Sequence, residues 1–399
     1  MAFTSLDFFA GSGLVRLGLE PHFQSLWAND IDRRKEAVYR SNFGADAFHL
    51  GRIEDVRGGD LPVADLAWAS FPCQDLSLAG SLSGMREGTR SGLFWHWLRV
   101  LDELRAAGRR PPLLVAENVV GFIVAREGRD FRQAYLALRE RGYRVGALVI
   151  DARLFVPQSR PRAFLVAVSD EIETAGLTQR LPSVPFHPDS LVRTAASLAD
   201  PEWIWWALPT PSIPPPSFVD LCEHDAPCDA PEKTRALERL LSPVNRRKLK
   251  IVLESGGTLA GTGYRRTRPG IDGRPVQRLE IRFDGVAGCL RTPEGGSSRQ
   301  VVMIVDRGQL RTRLMTVREC ARLMGTPDWF QVPGSYNDGY RAMGDAVVAP
   351  VTRWMTEHLL APLAARSGAP LLRNDLLRND TVLRNRTGSP IHGHSRSMA

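Results

Sequence analysis

DFFAGSG, at residues 7–13, joins a short apolar run to an amphipathic run that is typical of a helix. Gly11 and Gly13 allow the backbone to turn tightly and to approach a ligand at the start of that helix. Arg16 stands where a dinucleotide fingerprint has its third glycine, which argues against NAD or FAD. Asp30 follows at a spacing that suits ribose hydroxyls. The segment predicts a nucleoside pocket, although a purely structural turn explains Gly-x-Gly about as often.

Short apolar runs alternate with amphipathic runs on both sides of this segment, through the first 170 residues. Strands are expected at residues 5–9, 25–28, 65–70, 113–116, 146–150 and 164–168, and helices at residues 14–19, 33–41, 92–107 and 131–141. The alternation predicts an α/β fold with a doubly wound, mostly parallel sheet. Ligands of such sheets bind at the carboxyl ends of the strands.

The alternation stops after residue 170, and the chain of 399 residues is too long for one core of usual size. Residues 171–310 contain proline-rich stretches and the tryptophans 203, 205 and 206, which predicts a separate irregular module with a local core. Helical patterning returns over residues 311–365, where Thr316 and Glu319 form a capping-box pattern. Residues 366–399 repeat LLRND and are expected to be a disordered tail. The predicted division is therefore 1–170, 171–310, 311–365 and 366–399.

Composition narrows the class of protein. Hydrophobic residues make up 43% and charged residues 24%, an ordinary globular balance that excludes a fibrous or wholly disordered chain. No apolar run approaches the roughly 20 residues of a membrane span, and the N-terminus lacks a signal-peptide pattern. The five cysteines are an odd, scattered set, unlike a disulfide framework. We expect a cytosolic protein without membrane attachment.

The positive charge is concentrated in one segment. Residues 231–310 contain sixteen Lys and Arg against eight Asp and Glu, which accounts for the whole net charge of +8. A basic region beside a neutral body favours a polyanionic partner, with nucleic acid first. A solvated, arginine-rich surface is an equally good explanation of charge alone.

Polar residues lie at the ends of three predicted strands: two groups follow a strand and one precedes a strand. Cys73, in the sequence FPCQ, opens a glycine-bearing loop and is well placed as a nucleophile under a closing lid, although a lone cysteine is more often a small buried hydrophobe. Glu117 ends the next strand and brings a carboxyl group to the same edge of the sheet. Arg160 and Arg162 precede the last strand and point to one side of an extended segment.

These residues carry a resemblance to a known family. The sequence is similar to the ordered motifs of DNA (cytosine-5) methyltransferases of bacterial or phage type at residues 7–13, 71–74 (FPCQ), 89–94 (TRSGLF), 117–119 (ENV), 158–162 (QSRPR), 316–325 (TVRECARLMG) and 344–348 (GDAVV). The matches cover residues 5–168 and 311–355, about half of the chain. The unmatched basic module falls where that family has its target-recognition domain. The resemblance implies a Rossmann-like S-adenosylmethionine-dependent methyltransferase fold with a smaller, irregular recognition domain.

The resemblance also implies roles for single residues. The thiolate of Cys73 would add to carbon 6 of a cytosine, and Glu117 would hold the exocyclic amine and ring nitrogen 3. Arg162, with Arg160 in support, would bind the base carbonyl oxygen. Because these atoms cannot be reached in stacked DNA, the base would be flipped out. S-adenosylmethionine would donate the methyl group to carbon 5.

The expected cofactor contacts lie along the first turn and the neighbouring strand ends. They are Phe9, Ala10, Gly11, Ser12, Gly13, Asp30, Ile31, Ile53, Pro72, Leu93, Asp345 and Ala346. The expected DNA contacts are Gln74, Ser77, Arg90, Arg299 and Gln300. The chain departs from the family pattern at three positions: Arg52 replaces an aspartate that reads adenine, Asp345 an asparagine, and Leu14 a glycine. Glu54 or Asp55 is a candidate substitute for the lost adenine contact.

The sequence thus predicts a monomeric enzyme acting on double-stranded DNA, either with a cognate restriction endonuclease as a separately acting partner or as an orphan methylase. Two alternatives stay open: the same chemistry on tRNA, and a catalytically silent DNA-binding protein of this fold. Cys222, His224 and Cys228 supply soft ligands without an evident fourth, so no metal is expected. Cys289 and Cys320 are interpreted as packing residues.

Overall fold

A seven-stranded sheet in the order β3-β2-β1-β4-β5-β7-β6 is the centre of the computed structural model, which describes residues 2–72, 92–270, 273–292 and 299–368. Its strands are β1 (Phe3–Phe8), β2 (Phe23–Asp30), β3 (Phe48–Leu50), β4 (Leu66–Ala69), β5 (Leu113–Val119), β6 (Tyr143–Asp151) and β7 (Pro161–Ser169). β7 runs antiparallel to β5 and to β6, and the other neighbouring strands are parallel. The predicted doubly wound, mostly parallel sheet is confirmed.

Both faces of this sheet are buried, which explains why its strands read as nearly continuous apolar runs. Leu113 and Val115 of β5 face one core, whereas Leu114 and Ala116 face the other. Helices cover the two faces. They are α1 (Leu14–Leu19), α2 (Arg33–Phe43), α3 (Gly92–Ala106), α4 (Gly121–Val124) and α5 (Arg129–Arg139), with short 3₁₀ turns at Ile53–Asp55, Gly58–Asp60, Ala125–Gly128 and Ala152–Leu154.

The structure refines several predicted boundaries. Helix α1 has the predicted bounds, whereas β5 continues three residues beyond the predicted end, so that Glu117 lies inside the strand. The three-residue strand β3 was not predicted, because its middle residue His49 is exposed and the segment is too short to show a period.

The second sheet has four antiparallel strands in the order β11-β10-β12-β13. They are β10 (Leu259–Pro269), β11 (Pro275–Arg282), β12 (Val301–Asp306) and β13 (Gln309–Leu314), so the sheet continues beyond residue 310. Helices α8 (Pro231–Arg239) and α9 (Pro243–Glu254) accompany it. A small core that includes Leu249, Leu279 and Met303 joins these elements. We call this unit the recognition module.

The segment between the two sheets packs on the first one. It contains β8 (Thr178–Gln179), α6 (Asp189–Leu198), β9 (Trp205–Trp206) and α7 (Phe218–Leu221). Trp206 is fully buried, and its indole N–H donates to the carbonyl oxygen of Val166 in β7 at 3.3 Å. The expected local core around the tryptophans is therefore continuous with the core of the seven-stranded sheet.

The chain returns to the first sheet through α10 (Val317–Leu323), α11 (Tyr336–Asp345), α12 (Ala349–Met355), a π-helical turn (Thr356–Leu360) and α13 (Ala361–Arg366). The predicted capping box begins α10: the N–H of Glu319 donates to the Thr316 hydroxyl at 3.1 Å, and the Thr316 N–H donates to the Glu319 carboxylate at 2.8 Å. Gly18 lets α12 pack closely on α1, because a Cβ there would lie 2.5 Å from Cβ of Thr352. This contact brings the end of α11 to the first turn. None of the helices in the described parts of the chain combines the length and apolar character needed to span a membrane.

Candidate active site

The first turn is fixed by its backbone conformation and by the end of β2. Gly11 and Gly13 have φ of 57° and 82°, and a Cβ on Gly13 would lie 2.6 Å from the ring of Phe43. Phe9 also has a positive φ, 59°, which is uncommon for a residue with a side chain. The N–H of Gly11 donates to the Asp30 carboxylate at 3.0 Å. The turn and Asp30 therefore form one unit at the carboxyl edge of the sheet.

Asp30 combines a fixed carboxylate with an apolar neighbour. Its carboxylate also accepts the N–H of Asp32 at 2.9 Å, and the residue is buried. Ile31 is 63% exposed beside it. Phe9 and Leu93 are partly buried against the core, and Pro72 is exposed. This edge therefore offers a carboxylate for hydroxyl groups and apolar surface for a ring.

Four other predicted cofactor residues have less open surroundings. Ala10 and Ile53 are buried, and Ile53 belongs to the core under the sheet. Ser12 is buried and its hydroxyl donates to the carbonyl oxygen of Ala342 at 3.3 Å. Ala346 is half-buried after the end of α11. Because the side chains of Ala10, Ser12 and Ile53 are buried, they leave only backbone groups for contact with a ligand.

The departures from the family pattern have partners of their own. Arg52 forms an ion pair with Glu54 at 2.5 Å, one of the two acids suggested as a substitute adenine contact. Asp345 forms an ion pair with Lys35 of α2 at 2.9 Å and accepts the hydroxyl proton of Thr292. Burial lowers the pKa of Lys35, but the carboxylates of Asp345 and Asp30 raise it more, so the net shift is upward. Lys35 therefore stays charged between Asp30, beside the first turn, and Asp345 at the end of α11.

Glu117 and Arg162 meet at the edge where β5 and β7 pair. Nε of Arg162 lies 3.3 Å from Oε1 of Glu117, and both side chains are largely buried. Glu117 pairs with Phe164 across the two strands, so Arg162 is its diagonal neighbour on the same face. Burial raises the pKa of Glu117, and the charges of Arg162 and Arg160 only partly offset this. The predicted pair is thus brought together, with a carboxyl group that keeps its proton more readily than usual.

The segment that leads to the proposed nucleophile starts beside Glu117. The side-chain amide of Asn118 donates to the carbonyl oxygen of Phe71 at 3.2 Å, which ties the end of β4 to β5. The indole N–H of Trp68 donates to the Ser70 hydroxyl at 3.0 Å in the same place. Cys73 itself, with the predicted DNA contacts Gln74, Ser77 and Arg90, lies outside the described residues.

Arg160 has a different environment from Arg162. It is 2% exposed and donates to the carbonyl oxygens of Leu290, Gly344 and Ala346, each at 2.8 Å, and to the sulfur of Cys289 at 3.3 Å. All of these partners are protein groups, which favours a positioning role over the expected support of a base. Arg160 joins the segment that follows β11 to the end of α11.

Cys289 is not simply a packing residue, contrary to the sequence interpretation. It is half-buried beside Arg160 and lines a cavity. Burial raises the pKa of the Cys289 thiol, but the charges of Arg160 and Arg162 outweigh it and leave the pKa below its usual range. No local pattern could have shown this contact, because Cys289 and Arg160 are 129 residues apart in the chain.

The two predicted DNA contacts of the recognition module, Arg299 and Gln300, differ in their surroundings. Gln300 is 3% exposed, and its side-chain amide donates to the carbonyl oxygen of Cys289 at 3.3 Å, which does not fit the expected reading of bases. Arg299 is half-buried, donates to Asn337 and lies 5.6 Å above the ring of Tyr336. Gly288 leaves room for the side-chain amide of Gln300, because a Cβ at position 288 would lie 2.9 Å from Nε2 of Gln300. Within the described residues no group of three or more ligating side chains is placed to hold a metal ion.

A glycine turn against a carboxylate, at the edge of a seven-stranded sheet with one reversed strand, defines the class of Rossmann-like S-adenosylmethionine-dependent methyltransferases. The family model described as C-5 cytosine-specific DNA methylase matches residues 3–361. The chain therefore belongs to the C-5 cytosine-specific DNA methylase family. It is a DNA cytosine-5 methyltransferase and uses S-adenosylmethionine.

Individual relatives agree with this family. The type II methyltransferase M.NlaX of Neisseria lactamica is 27% identical over 92% of this chain and 98% of its own length. The type II methyltransferase M.HhaI of Haemophilus parahaemolyticus is 26% identical over 89% of this chain and 93% of its own. The solved structure of the S. pombe Dnmt2 methyltransferase covers 91% of this chain and 99% of its own with a TM-score of 0.59. At 17% identity, that structure supports the fold alone.

The residues at the sheet edge fit S-adenosylmethionine. Asp30 offers an ordered carboxylate to ribose hydroxyls, and the exposed side chain of Ile31 offers apolar surface to the adenine ring. Gly11 and Gly13 keep the first turn free of side chains. A carboxylate for ribose hydroxyls beside an apolar surface for a base therefore suits a nucleoside.

Proposed function

We propose that this chain methylates carbon 5 of a flipped-out cytosine in a specific double-stranded DNA sequence, through a covalent adduct with Cys73. The observation that carries the proposal is the Glu117–Arg162 pair, 3.3 Å apart at the edge where the segment to Cys73 begins. A carboxyl group and a guanidinium so close together match the amine side and the carbonyl side of a cytosine ring. The basic recognition module supplies the surface for a polyanion.

Each of the three residues has one task. The Cys73 thiolate adds to carbon 6 and makes carbon 5 nucleophilic, because carbon 5 alone is a poor nucleophile. Glu117, with its raised pKa, gives a proton to ring nitrogen 3 and accepts a hydrogen bond from the exocyclic amine. Arg162 donates to the carbonyl oxygen and stabilises the negative charge that develops there.

Asp30 and the first turn hold S-adenosylmethionine, which supplies the methyl group when bound. After carbon 5 has been methylated, loss of the carbon-5 proton restores the ring and breaks the bond to the Cys73 sulfur. The hydrogen bond from Asn118 holds Phe71, just after the end of β4, beside β5. The segment that leads to Cys73 therefore begins at a fixed position.

The experiment is expression of wild type, Cys73→Ser and Cys228→Ser in a host without DNA methylation, followed by conversion sequencing. Wild type and Cys228→Ser are expected to methylate one short sequence, and Cys73→Ser none. Purified Cys73→Ser should still bind tritiated S-adenosylmethionine, because Asp30 and the first turn are unchanged. Fluorocytosine-containing DNA should trap a covalent complex with wild type and not with Cys73→Ser. Full methylation by Cys73→Ser, or methyl transfer by wild type into tRNA and not into DNA, contradicts the proposal.

We also propose that the enzyme acts as a monomer in the cytoplasm and protects its sequence from a separate restriction endonuclease. The type II names of the relatives support the endonuclease. Light scattering with and without duplex DNA tests the monomer.

A further inference from the structure

A cavity of about 650 Å³ lies between the start of β7 and the recognition module. Pro161, the neighbour of Arg162, lines it from one side. Lys248, Arg268, Arg278 and Arg282 line it from α9 and from the two-stranded ribbon of β10 and β11. The cavity is therefore open beside the candidate active site and strongly basic on the side of the module.

The ribbon has one apolar and one polar face. Leu279 and Ile281 of β11 are buried in the small core of the module. Glu280, between them, is paired with Tyr264 of β10, and Arg278 is paired with Arg266. Because side chains alternate along a strand, these four polar residues share the face that points away from the core. That face is the polar wall of the cavity.

Glu280 organises this face. Its carboxylate accepts two hydrogen bonds from Arg268, at 2.9 and 2.6 Å, and one from the Tyr264 hydroxyl at 3.0 Å. Arg266 lies 4.9 Å above the ring of Tyr264 and 3.7 Å from the same carboxylate. Partial burial raises the pKa of Glu280, but the bonds from Arg268 and Tyr264 and the arginine charges lower it more, so the carboxylate stays ionised. One anion thus holds two arginines and a tyrosine in fixed positions.

The positive charge of this wall exceeds what its own anions neutralise. Arg282 is paired with Asp284, at 2.8 and 2.6 Å. The guanidinium of Arg278 makes no hydrogen bond or ion pair within the described parts of the chain, and it lines the cavity. The same holds for the ammonium group of Lys248 among the described residues. Two cations of the wall are therefore free to meet a ligand.

We infer that the polar face of the β10–β11 ribbon enters the major groove of the DNA duplex, where Arg278 reads a guanine and Glu280 acts as a positioning residue for Arg266 and Arg268. The major groove, about 12 Å wide, admits a two-stranded ribbon, and a guanidinium can bond guanine O6 and N7 together. Lys248 then faces phosphate. The inference rests on the proposed function and names the element that gives it sequence preference.

The first test compares Arg278→Met with Arg311→Met, a change of the same charge on β13 at the opposite edge of the sheet. The catalytic efficiency is measured on a duplex with the wild-type sequence and on duplexes with each base pair replaced. Arg278→Met should lose about ten- to a hundredfold of the discrimination at one G·C pair, the worth of a bidentate contact. Arg311→Met should keep the wild-type pattern. Because Arg278 has no partner among the described residues, its variant should unfold at the wild-type temperature.

The second test is Glu280→Gln, which keeps the shape and removes the charge. Methylation in cells should spread to sequences that differ by one base pair, while binding of S-adenosylmethionine is unchanged. An equal loss on all duplexes by Arg278→Met, with a weaker salt dependence, identifies a phosphate contact and overturns base reading. An unchanged site preference in both variants also overturns it. Absence of DNA methylation by wild type is a different result, which refutes the proposed function itself.

Discussion

Arg160 immediately precedes β7 of the seven-stranded sheet, whereas Arg278 lines the neighbouring cavity from the four-stranded sheet. Arg160 is 2% exposed and donates to three backbone carbonyl oxygens and a sulfur. Arg278 makes no such bond within the described residues. A buried cation is tolerated only when protein groups satisfy it, so folding fixes Arg160 and leaves Arg278 for a partner.

The acids of the two regions differ in the same way. Burial raises the pKa of Asp7 and of Glu117 in the first sheet, while hydrogen bonds and arginine charges lower that of Glu280 despite its partial burial. Asp7 and Glu117 therefore release their protons at a higher pH than an ordinary carboxyl group, whereas Glu280 releases its proton at a lower pH. A proton-transfer site needs an acid with a raised pKa, and a carboxylate that holds arginines in place needs a lowered pKa.

The largest expected effect is on Glu117. Glu117→Gln keeps the size of the side chain but cannot give a proton to the base, so the single-turnover rate of methyl transfer should fall by about 10²–10⁴-fold. Glu254→Gln, a change of an exposed acid at the end of α9, is the matched control and should keep the wild-type rate. A wild-type rate for Glu117→Gln would remove the distinction between the two kinds of acid.

Arg160→Met should lower the free energy of unfolding by about 2–4 kcal/mol, because several buried carbonyl oxygens lose their donor. Arg278→Met should stay within about 0.5 kcal/mol of wild type, because Arg278 is half-buried and its guanidinium makes no hydrogen bond or ion pair within the described residues. Urea unfolding of the two variants measures both values. The dissociation constant of S-adenosylmethionine should rise only for Arg160→Met, since Arg160 holds Ala346, one of the predicted cofactor contacts. Equal losses of stability would show that the two arginines are not used differently.

The sequence was sufficient where structure follows from local periodicity. Helix α1 has its predicted bounds. The meeting of Glu117 and Arg162 was expected from the family resemblance and not from periodicity, because Arg162 lies at the start of a strand and only the antiparallel direction of β7 brings it to the carboxyl end of β5. The ribbon face was missed, although the alternation of Arg278, Glu280 and Arg282 with two apolar residues is a strand pattern. A search for period two in the basic segment would have found it.

Other features could not be predicted, because they depend on contacts between distant segments. The environment of Cys289 is set by Arg160, and the pairing of Asp345 by Lys35 on α2. The burial of Gln300 depends on the packing of Gly288 and Tyr340 around it. Residue type and spacing carry no signal for such pairs, since each needs the folded arrangement of both sheets.

The smallest expected effect is on stability. It distinguishes a buried acid that accepts hydrogen bonds from one that accepts none among the described residues. Both carboxylate oxygens of Asp7 are buried and have no hydrogen-bond partner within the described parts of the chain, and burial and the charge of Asp30 raise its pKa well above the usual value. An acid whose pKa is raised by folding loses its contribution to stability as the pH rises through the folded pKa. Asp7→Asn should therefore match wild type only below the unfolded pKa of about 3.9, and exceed it increasingly from pH 5 upward, by about 1 kcal/mol or more at pH 9, since one pKa unit equals 1.36 kcal/mol.

Asp65 is the matched control for that measurement. Its carboxylate accepts the N–H and the hydroxyl proton of Thr4, at 2.7 and 2.8 Å, so Asp65→Asn should lose stability. Urea unfolding at several pH values between 5 and 9 gives both curves. If Asp7→Asn loses stability at every pH, as Asp65→Asn should, then Asp7 has a partner in solution and the acids of the first sheet are not held as protonated groups. A gain that grows with pH at position 7 alone would extend the contrast with Glu280 to a residue outside the proposed reaction.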